Sequence, residues 1–313
     1  MLVLCATLRG QWVVRRAILT LALVLTSATG AAAQCTLVGS YENNSVRVHR
    51  TSDGLITFEA NVDVNTDGAL QSYKIDDLGF WDGHHIQTHS ALNTICNGVS
   101  IRTPNNNRLY GPRQCVDLIQ EFKRIRERGW VRDGANYVDF YAIALKPNTQ
   151  RPGKNRGEPC EKDGYYVSQV AKPIDPNKDV CDPERWVDAL RIPAIVLPLD
   201  SRMQATGIRL HDLAIVRLRN SDKWVGAIVG DTNPTRIGEA TVITNMRLRG
   251  LTAVPANYRA TVALALPAAR YFVFPGTANM ISSLSNASDP EIQTKARQLF
   301  DRYHLADRAD PCS

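Results

Sequence analysis

Residues Asp212–Gly230 read DLAIVRLRNSDKWVGAIVG. Two apolar, β-branched runs, DLAIVRLR and KWVGAIVG, flank the polar turn Asn220-Ser221-Asp222, which is the pattern of a β-hairpin. The same signal recurs on either side. SVRVHR (45–50) and GLITFEANVDV (54–64) alternate apolar and polar residues around the turn TSDG. IPAIVLPL (192–199) is a continuous apolar run bounded by prolines, too short for a helix and rich in β-branched residues, so it predicts a buried strand. YVDFYAIAL (137–145), GYYVSQVA (164–171), RATVALALP (259–267) and ARYFVFPG (269–276) extend the β series. The fold class expected is mainly β, a β-barrel-like core with a few peripheral α-helices, stabilised by disulfides.

Helices are fewer. CVDLIQEFKRIRER (115–128) places Leu118, Phe122 and Ile125 on one face, and Gly129 ends the run. Near the C-terminus Asp289 reads as N-cap and Pro290 as the first helical residue, ahead of a stripe of Ile292, Ala296, Leu299 and Tyr303. A third, shorter helix is expected to start near Glu239. No unit repeats, and 145–159 is a polar loop and not a domain linker. A chain of 313 residues that is 44% hydrophobic and 22% charged can bury a substantial core.

The first 33 residues stand apart. Arg15 and Arg16 precede the apolar run AILTLALVL, and Ala31 and Ala33 occupy the small-residue positions of a signal-peptidase site. The mature product would be residues 34–313, a single exported domain, secreted or periplasmic, with no membrane association after signal removal. Loss of Arg9, Arg15 and Arg16 lowers the formal charge from +6 to a mild +3. No basic block interleaved with aromatics is present, so a nucleic-acid partner is not expected. Six cysteines remain (Cys35, Cys96, Cys115, Cys160, Cys181, Cys312), widely spaced and without a C-x-x-C pair. In an oxidising compartment they suit three disulfides. Cys35 and Cys312 are expected to join the two ends, and the other pairings stay open.

Two motifs have bland readings that outweigh the sharper ones. DVNTDG (63–68) starts like a calcium loop, but Lys74 stands where the bidentate carboxylate belongs, which leaves a β-turn. His84, His85 and His89 lack the glutamate of a zinc-protease helix and read as a surface cluster; a metal-binding protein is the minor alternative. No nucleophile elbow, phosphate loop or dinucleotide fingerprint is present.

What remains is IVGDTNPTRIGEA (228–240), where Asp231 closes an apolar run and Glu239 follows eight residues later. Hydrolysis of a glycosidic bond needs one carboxylic acid to protonate the leaving oxygen and one carboxylate on the other side of the sugar. A chain doubled back at Asn233-Pro234 and Gly238 can bring the pair to the inverting separation of about 6.5–9.5 Å. From spacing alone, local turn chemistry is the better account of both acids.

The surrounding residues resemble a family. AIVGDTNPTRIGEAT (227–241) is similar to the active-site segment of the family 75 glycoside hydrolases, the chitosanases, where a Gly-Asp and a Gly-Glu flank a short turn. TFEANVDVNTDGALQSY (57–73), GYYVS (164–168), DPERWVDALRIPAIVLP (182–198), GIRLHDLAIV (207–216) and YFVFPGT (271–277) resemble further family segments in the same order, covering about residues 46–277. Residues 80–135 depart from the pattern and read as an insertion, the helix at 289–306 extends past it, His211 stands where a glycine is usual, and Ala194 replaces an aromatic. The resemblance implies endo-acting, inverting hydrolysis of β-1,4-linked glucosamine polymers, with Asp231 and Glu239 as catalytic carboxylates. Our own assignment takes Glu239, entering a helix, as acid and Asp231 as base. Asp67, Asp212, Tyr73 and Tyr166 are candidate substrate-binding residues, the tyrosines by stacking on sugar. No metal or organic cofactor is implied, and a monomer is expected. Because chitosan is a polycation, this reading expects a locally acidic cleft drawn from Asp67, Asp76, Asp77, Asp163, Asp212, Asp231 and Glu239. The alternative is a non-catalytic extracytoplasmic carbohydrate-binding or envelope protein on the same fold.

Overall fold

The computed structural model describes residues 35–42, 45–131, 134–147, 157–219, 221–281, 289–307 and Cys312. Along the chain run β1 (Thr36–Tyr41), β2 (Val46–Arg50), β3 (Ile56–Asn65), β4 (Tyr73–Lys74), β5 (Phe80–Trp81) and β6 (Ile86–Gln87). Next come β7 (Val99–Arg102), β8 (Arg108–Tyr110), α1 (Cys115–Glu127), β9 (Tyr137–Phe140), β10 (Glu161–Lys162) and β11 (Tyr165–Tyr166). The remainder is β12 (Ala194–Leu197), α2 (Ser201–Gln204), β13 (Leu213–Leu218), β14 (Trp224–Thr232), β15 (Glu239–Thr241), α3 (Val242–Arg249), α4 (Tyr258–Val262), β16 (Leu266–Val273) and α5 (Asp289–Arg302). Residues 33–313 form one unit. The expected signal segment lies outside the described residues.

Six strands close into a barrel in the order β3-β15-β12-β14-β13-β16, with β16 pairing back onto β3. The opening stretch is its central hairpin: β13 and β14 pair antiparallel with Leu213 opposite Ile228 and Arg217 opposite Trp224. β15–β3 and β12–β14 are parallel, and the other barrel pairs are antiparallel. The hairpin of β1 and β2 adds to the edge of β3. Closure removes the unpaired edges of the six-stranded sheet.

Period-two alternation sorts the strands into two cores. Phe58, Val62, Ile195, Leu197, Val216, Val229, Ala240 and Tyr271 fill the barrel. Leu213, Ile215, Ile228 and Phe272 face outward onto Ile292, Ala296 and Leu299 of α5. Each such buried aliphatic or aromatic side chain stabilises the fold by about 1.5–3 kcal/mol. The expected insertion builds a third core, where Leu118, Phe122 and Ile125 of α1 pack against Val99, Ile101 and Val138.

These six cysteines all pair: Cys35–Cys312 joins the two ends, Cys96–Cys115 closes a loop within the insertion ahead of α1, and Cys160–Cys181 closes a loop of similar length. Three local expectations change. RATVALALP is not one strand: Asn257 Oδ1 accepts the Ala260 N–H at 3.0 Å and caps α4, so capping overrides alternation until Leu266. YVDFYAIAL is a strand only to Phe140. Glu239 does not start a helix. It lies in β15, paired on both sides, and α3 begins at Val242.

Candidate active site

The register of the barrel brings the two acids together. Val196 of β12 pairs with Asp231 of β14 on one side and with Glu239 of β15 on the other, and Glu239 pairs in turn with Asp63 of β3. Ile195, Ala240, Val229 and Val62 next to these positions point into the barrel, so the row Asp63–Glu239–Val196–Asp231 lies on the outer face. Asp231 and Glu239 are therefore two strand spacings apart, roughly 9–10 Å between Cα atoms.

The two glycines of the motif are required by this arrangement. β14 carries a bulge at Gly230, the residue passed over between the Ile195–Val229 and Val196–Asp231 pairs. A Cβ there would stand 2.6 Å from Ala194 Cβ. Ala194 thus sits directly under the bulge that aims Asp231. Gly238 has φ +95°, and a Cβ would approach Asn61 O to 2.6 Å. Its carbonyl accepts the Asp63 N–H at 2.8 Å and the Tyr271 hydroxyl at 3.1 Å from inside the barrel. The turn between the acids is further tied by Asn233 Oδ1, which accepts the Thr235 and Arg236 N–H groups.

Each carboxyl has its own surroundings. Asp231 Oδ1 accepts the Ala171 N–H at 2.7 Å. Burial pushes its pKa up to about 6 against these backbone donors, with the Glu239 charge adding to the rise. Glu239 forms an ion pair with Arg236 through Oε1 at 3.1 Å and accepts from Asn65 Nδ2 through Oε2 at 3.4 Å. Burial raises its pKa, and the Arg236 guanidinium and Asn65 pull it back. Asp67 joins them from the turn after β3. Burial and then the Asp231 charge hold its carboxyl well above the usual carboxylate range, against a hydrogen bond from the Tyr73 hydroxyl at 2.7 Å.

The structure brings the expected residues Asp231, Glu239 and Asp67 near Asp63, Asn65 and Arg236, which the sequence reading did not single out. Asn65 links two of the acids, since its Oδ1 also accepts the Asp67 N–H at 2.8 Å; the D/N-rich turn DVNTDG was its only signal. Arg236 bridges Glu239 to Asp63, 3.0 Å away.

Three expected substrate-binding residues are structural. Tyr166 is fully buried in the core of the insertion, so no sugar reaches its ring. Tyr73 is 1% exposed and acts through its hydroxyl on Asp67, not by stacking. Asp212 is fully buried and accepts the N–H groups of Arg209, Gly276 and Ala278, organising the loop beneath β13. The preceding His211 has φ +77°, the left-handed conformation that explains a glycine there. Its ring is buried with neither nitrogen hydrogen-bonded among the described residues, and burial pushes its pKa down to about 4.

The remaining acids of the expected cleft also disperse. Asp77 accepts the N–H groups of His89, Ser90 and Ala91, Asp76 pairs with Lys74, and Asp163 turns the β10–β11 hairpin. The acidity that remains is local to Asp63, Asp67, Asp231 and Glu239, of which Asp63 and Glu239 pair with Arg236. The histidines do not share a helix: His84 and His85 flank β6 on a turn held by Asp82, and His89 stacks on Phe80.

No family model matches this chain, and no curated protein matches it.

Proposed function

We propose that this chain is an exported, endo-acting glycoside hydrolase that cleaves β-1,4 bonds of chitosan-like glucosamine polymers with inversion. The observation that carries this reading is the register that sets Asp231 and Glu239 on either side of Val196 on one barrel face. Their Cα spacing of roughly 9–10 Å suits the inverting carboxyl separation of about 6.5–9.5 Å better than the retaining one of about 5–5.5 Å.

The surroundings favour roles opposite to those expected from the sequence. Both Glu239 oxygens have donors, Arg236 and Asn65, which stabilise its anion. Asp231, with its pKa near 6, keeps a proton to give at mildly acidic pH. In this mechanism Asp231 protonates the glycosidic oxygen as the C–O bond breaks. Glu239 takes a proton from the water that attacks the anomeric carbon from the opposite face. Two carboxyls and one water complete the balance. Asp63 and the Glu239 anion add the negative field that a polycationic chain needs near a protein of net positive charge. Three disulfides suit an oxidising, extracytoplasmic compartment. Among the described residues no helix is long and apolar enough to cross a membrane.

The test is release of reducing ends from chitosan, with chitin and cellulose oligomers as controls. Wild type should act on chitosan, while Asp231→Asn and Glu239→Gln should each lose at least about a thousandfold in kcat. Activity that survives both changes refutes the assignment.

A further inference from the structure

Sugar recognition by a glycosidase cleft calls for an aromatic face beside the reacting carboxyls, because the C–H face of a pyranose packs on a ring while its hydroxyls stay in water. The two tyrosines that the sequence offers for this role are buried. Among the described residues, three aromatic side chains stand exposed: Phe80, Trp81 and Tyr141. Phe80 and Trp81 belong to the short β5–β6 hairpin of the insertion.

Tyr141 is placed differently. It follows β9, and its backbone carbonyl accepts from Gln169 Nε2 at 3.4 Å. The neighbouring Ala142 carbonyl accepts the Gln169 N–H at 2.9 Å and the Ser168 hydroxyl at 3.2 Å. Ser168 Oγ in turn accepts the N–H of Gly68, the residue after Asp67. Two residues beyond Gln169, Ala171 donates to Asp231. Tyr141 is thus tied to the segment 168–171, which itself hydrogen-bonds Gly68 and Asp231. The residue is 49% exposed, while its hydroxyl is drawn inward to Cys96 O at 3.3 Å. The Asp67 charge lies near enough to help push the phenol pKa up to about 12, after burial of the hydroxyl. Cys96 is fixed by its disulfide to Cys115, so the insertion holds the hydroxyl end of a side chain that is otherwise half exposed.

We infer that Tyr141 is the floor of a pyranose-binding subsite beside Asp67 and Asp231, taking one sugar unit of a β-1,4-linked glucosamine chain by stacking. This rests on the proposed glycosidase reading. The insertion thereby gains a role in recognition, since the disulfide Cys96–Cys115 and the Cys96 carbonyl set the ring angle. Tyr141 is a positioning residue for the substrate, and the bond-breaking carboxyls remain Asp231 and Glu239.

The experiment is calorimetric titration of glucosamine oligomers into the full mature chain carrying Asp231→Asn, which keeps the ligand intact. Adding Tyr141→Ala should weaken binding about tenfold, the loss of a stacked aromatic contact with its buried area. Tyr141→Phe and Tyr141→Trp should stay within about threefold, since each keeps a ring. In the otherwise wild-type enzyme, Tyr141→Ala should raise KM for chitosan with kcat little changed. Thermal midpoints should agree to within about 2 °C, because the ring is exposed. Equal binding by Tyr141→Ala and its parent overturns the subsite, even if chitosan is hydrolysed. A Phe variant as weak as the Ala variant also overturns it, because the hydroxyl and not the face would then be the determinant. A parent that binds no oligomer of glucosamine, N-acetylglucosamine or glucose overturns both the subsite and the functional reading.

Discussion

Replacing Asp231 by Asn should make the protein more stable while removing its activity. The carboxyl of Asp231 is shifted by burial from 3.8 to about 6. A raised folded-state pKa means that the folded chain holds its proton more tightly than the unfolded one. The contribution is fully present below the unfolded value near 4 and is lost as pH rises through about 6. At pH 8 the wild type carries a desolvated charge worth about 3 kcal/mol, from roughly two pKa units at 1.36 kcal/mol each. Asparagine has the same shape, and its Oδ1 can still accept the Ala171 N–H. A weaker hydrogen bond to the neutral amide offsets part of the gain, leaving about 1.5–3 kcal/mol. Removing the charge also relieves Asp67, whose carboxyl the Asp231 charge pushes up. For a domain of this size the gain is roughly 3–10 °C in Tm. The assay is urea unfolding of wild type and Asp231→Asn, disulfides intact, at pH 8 and near pH 3.5. The variant should lead at pH 8, and the two should converge at the acid end. A variant less stable at pH 8, or a difference that does not change with pH, would refute the reasoning.

Other expectations follow from the same geometry. With Asp231 as acid, kcat/KM on chitosan should fall as pH rises through about 6, read from a pH–rate profile. Arg236→Gln should raise the pKa of Glu239, so the acidic limb of that profile should move to higher pH with stability nearly unchanged. Gly238→Ala, at φ +95° and against the Asn61 carbonyl, should cost about 2–4 kcal/mol in urea titrations and lower activity with it. Tyr166→Phe should leave activity on chitosan within about twofold, since its ring is core and touches no substrate.

The parts of this protein legible in the sequence were those where one local signal acts alone. The DLAIVRLR/KWVGAIVG hairpin and the IPAIVLPL strand announce themselves by continuous apolar, β-branched runs, and their burial in β13, β14 and β12 follows. β15 is different. Three residues carry too little pattern, and a Gly-Glu before an apolar segment reads equally as a helix start. Only pairing with Val196 and Asp63, on strands distant in the chain, makes Glu239 a strand residue. That non-local register is also what places it beside Asp231. Tyrosines show the same limit. Tyr73, Tyr141 and Tyr166 all sit in alternating segments, and no local pattern separates the two that are buried from the one that is open. Asp212 read as a cleft acid because it lies in the resembling segment GIRLHDLAIV, yet its carboxylate is consumed by three backbone donors.

The most direct test of the central claim is the anomeric form of the first product released from chitosan, followed by proton NMR before mutarotation. An Asp231–Glu239 pair spaced across Val196 predicts that cleavage of the β-1,4 bond yields the α-anomer at the new reducing end. A β-anomer, or no product from the wild type, would contradict it.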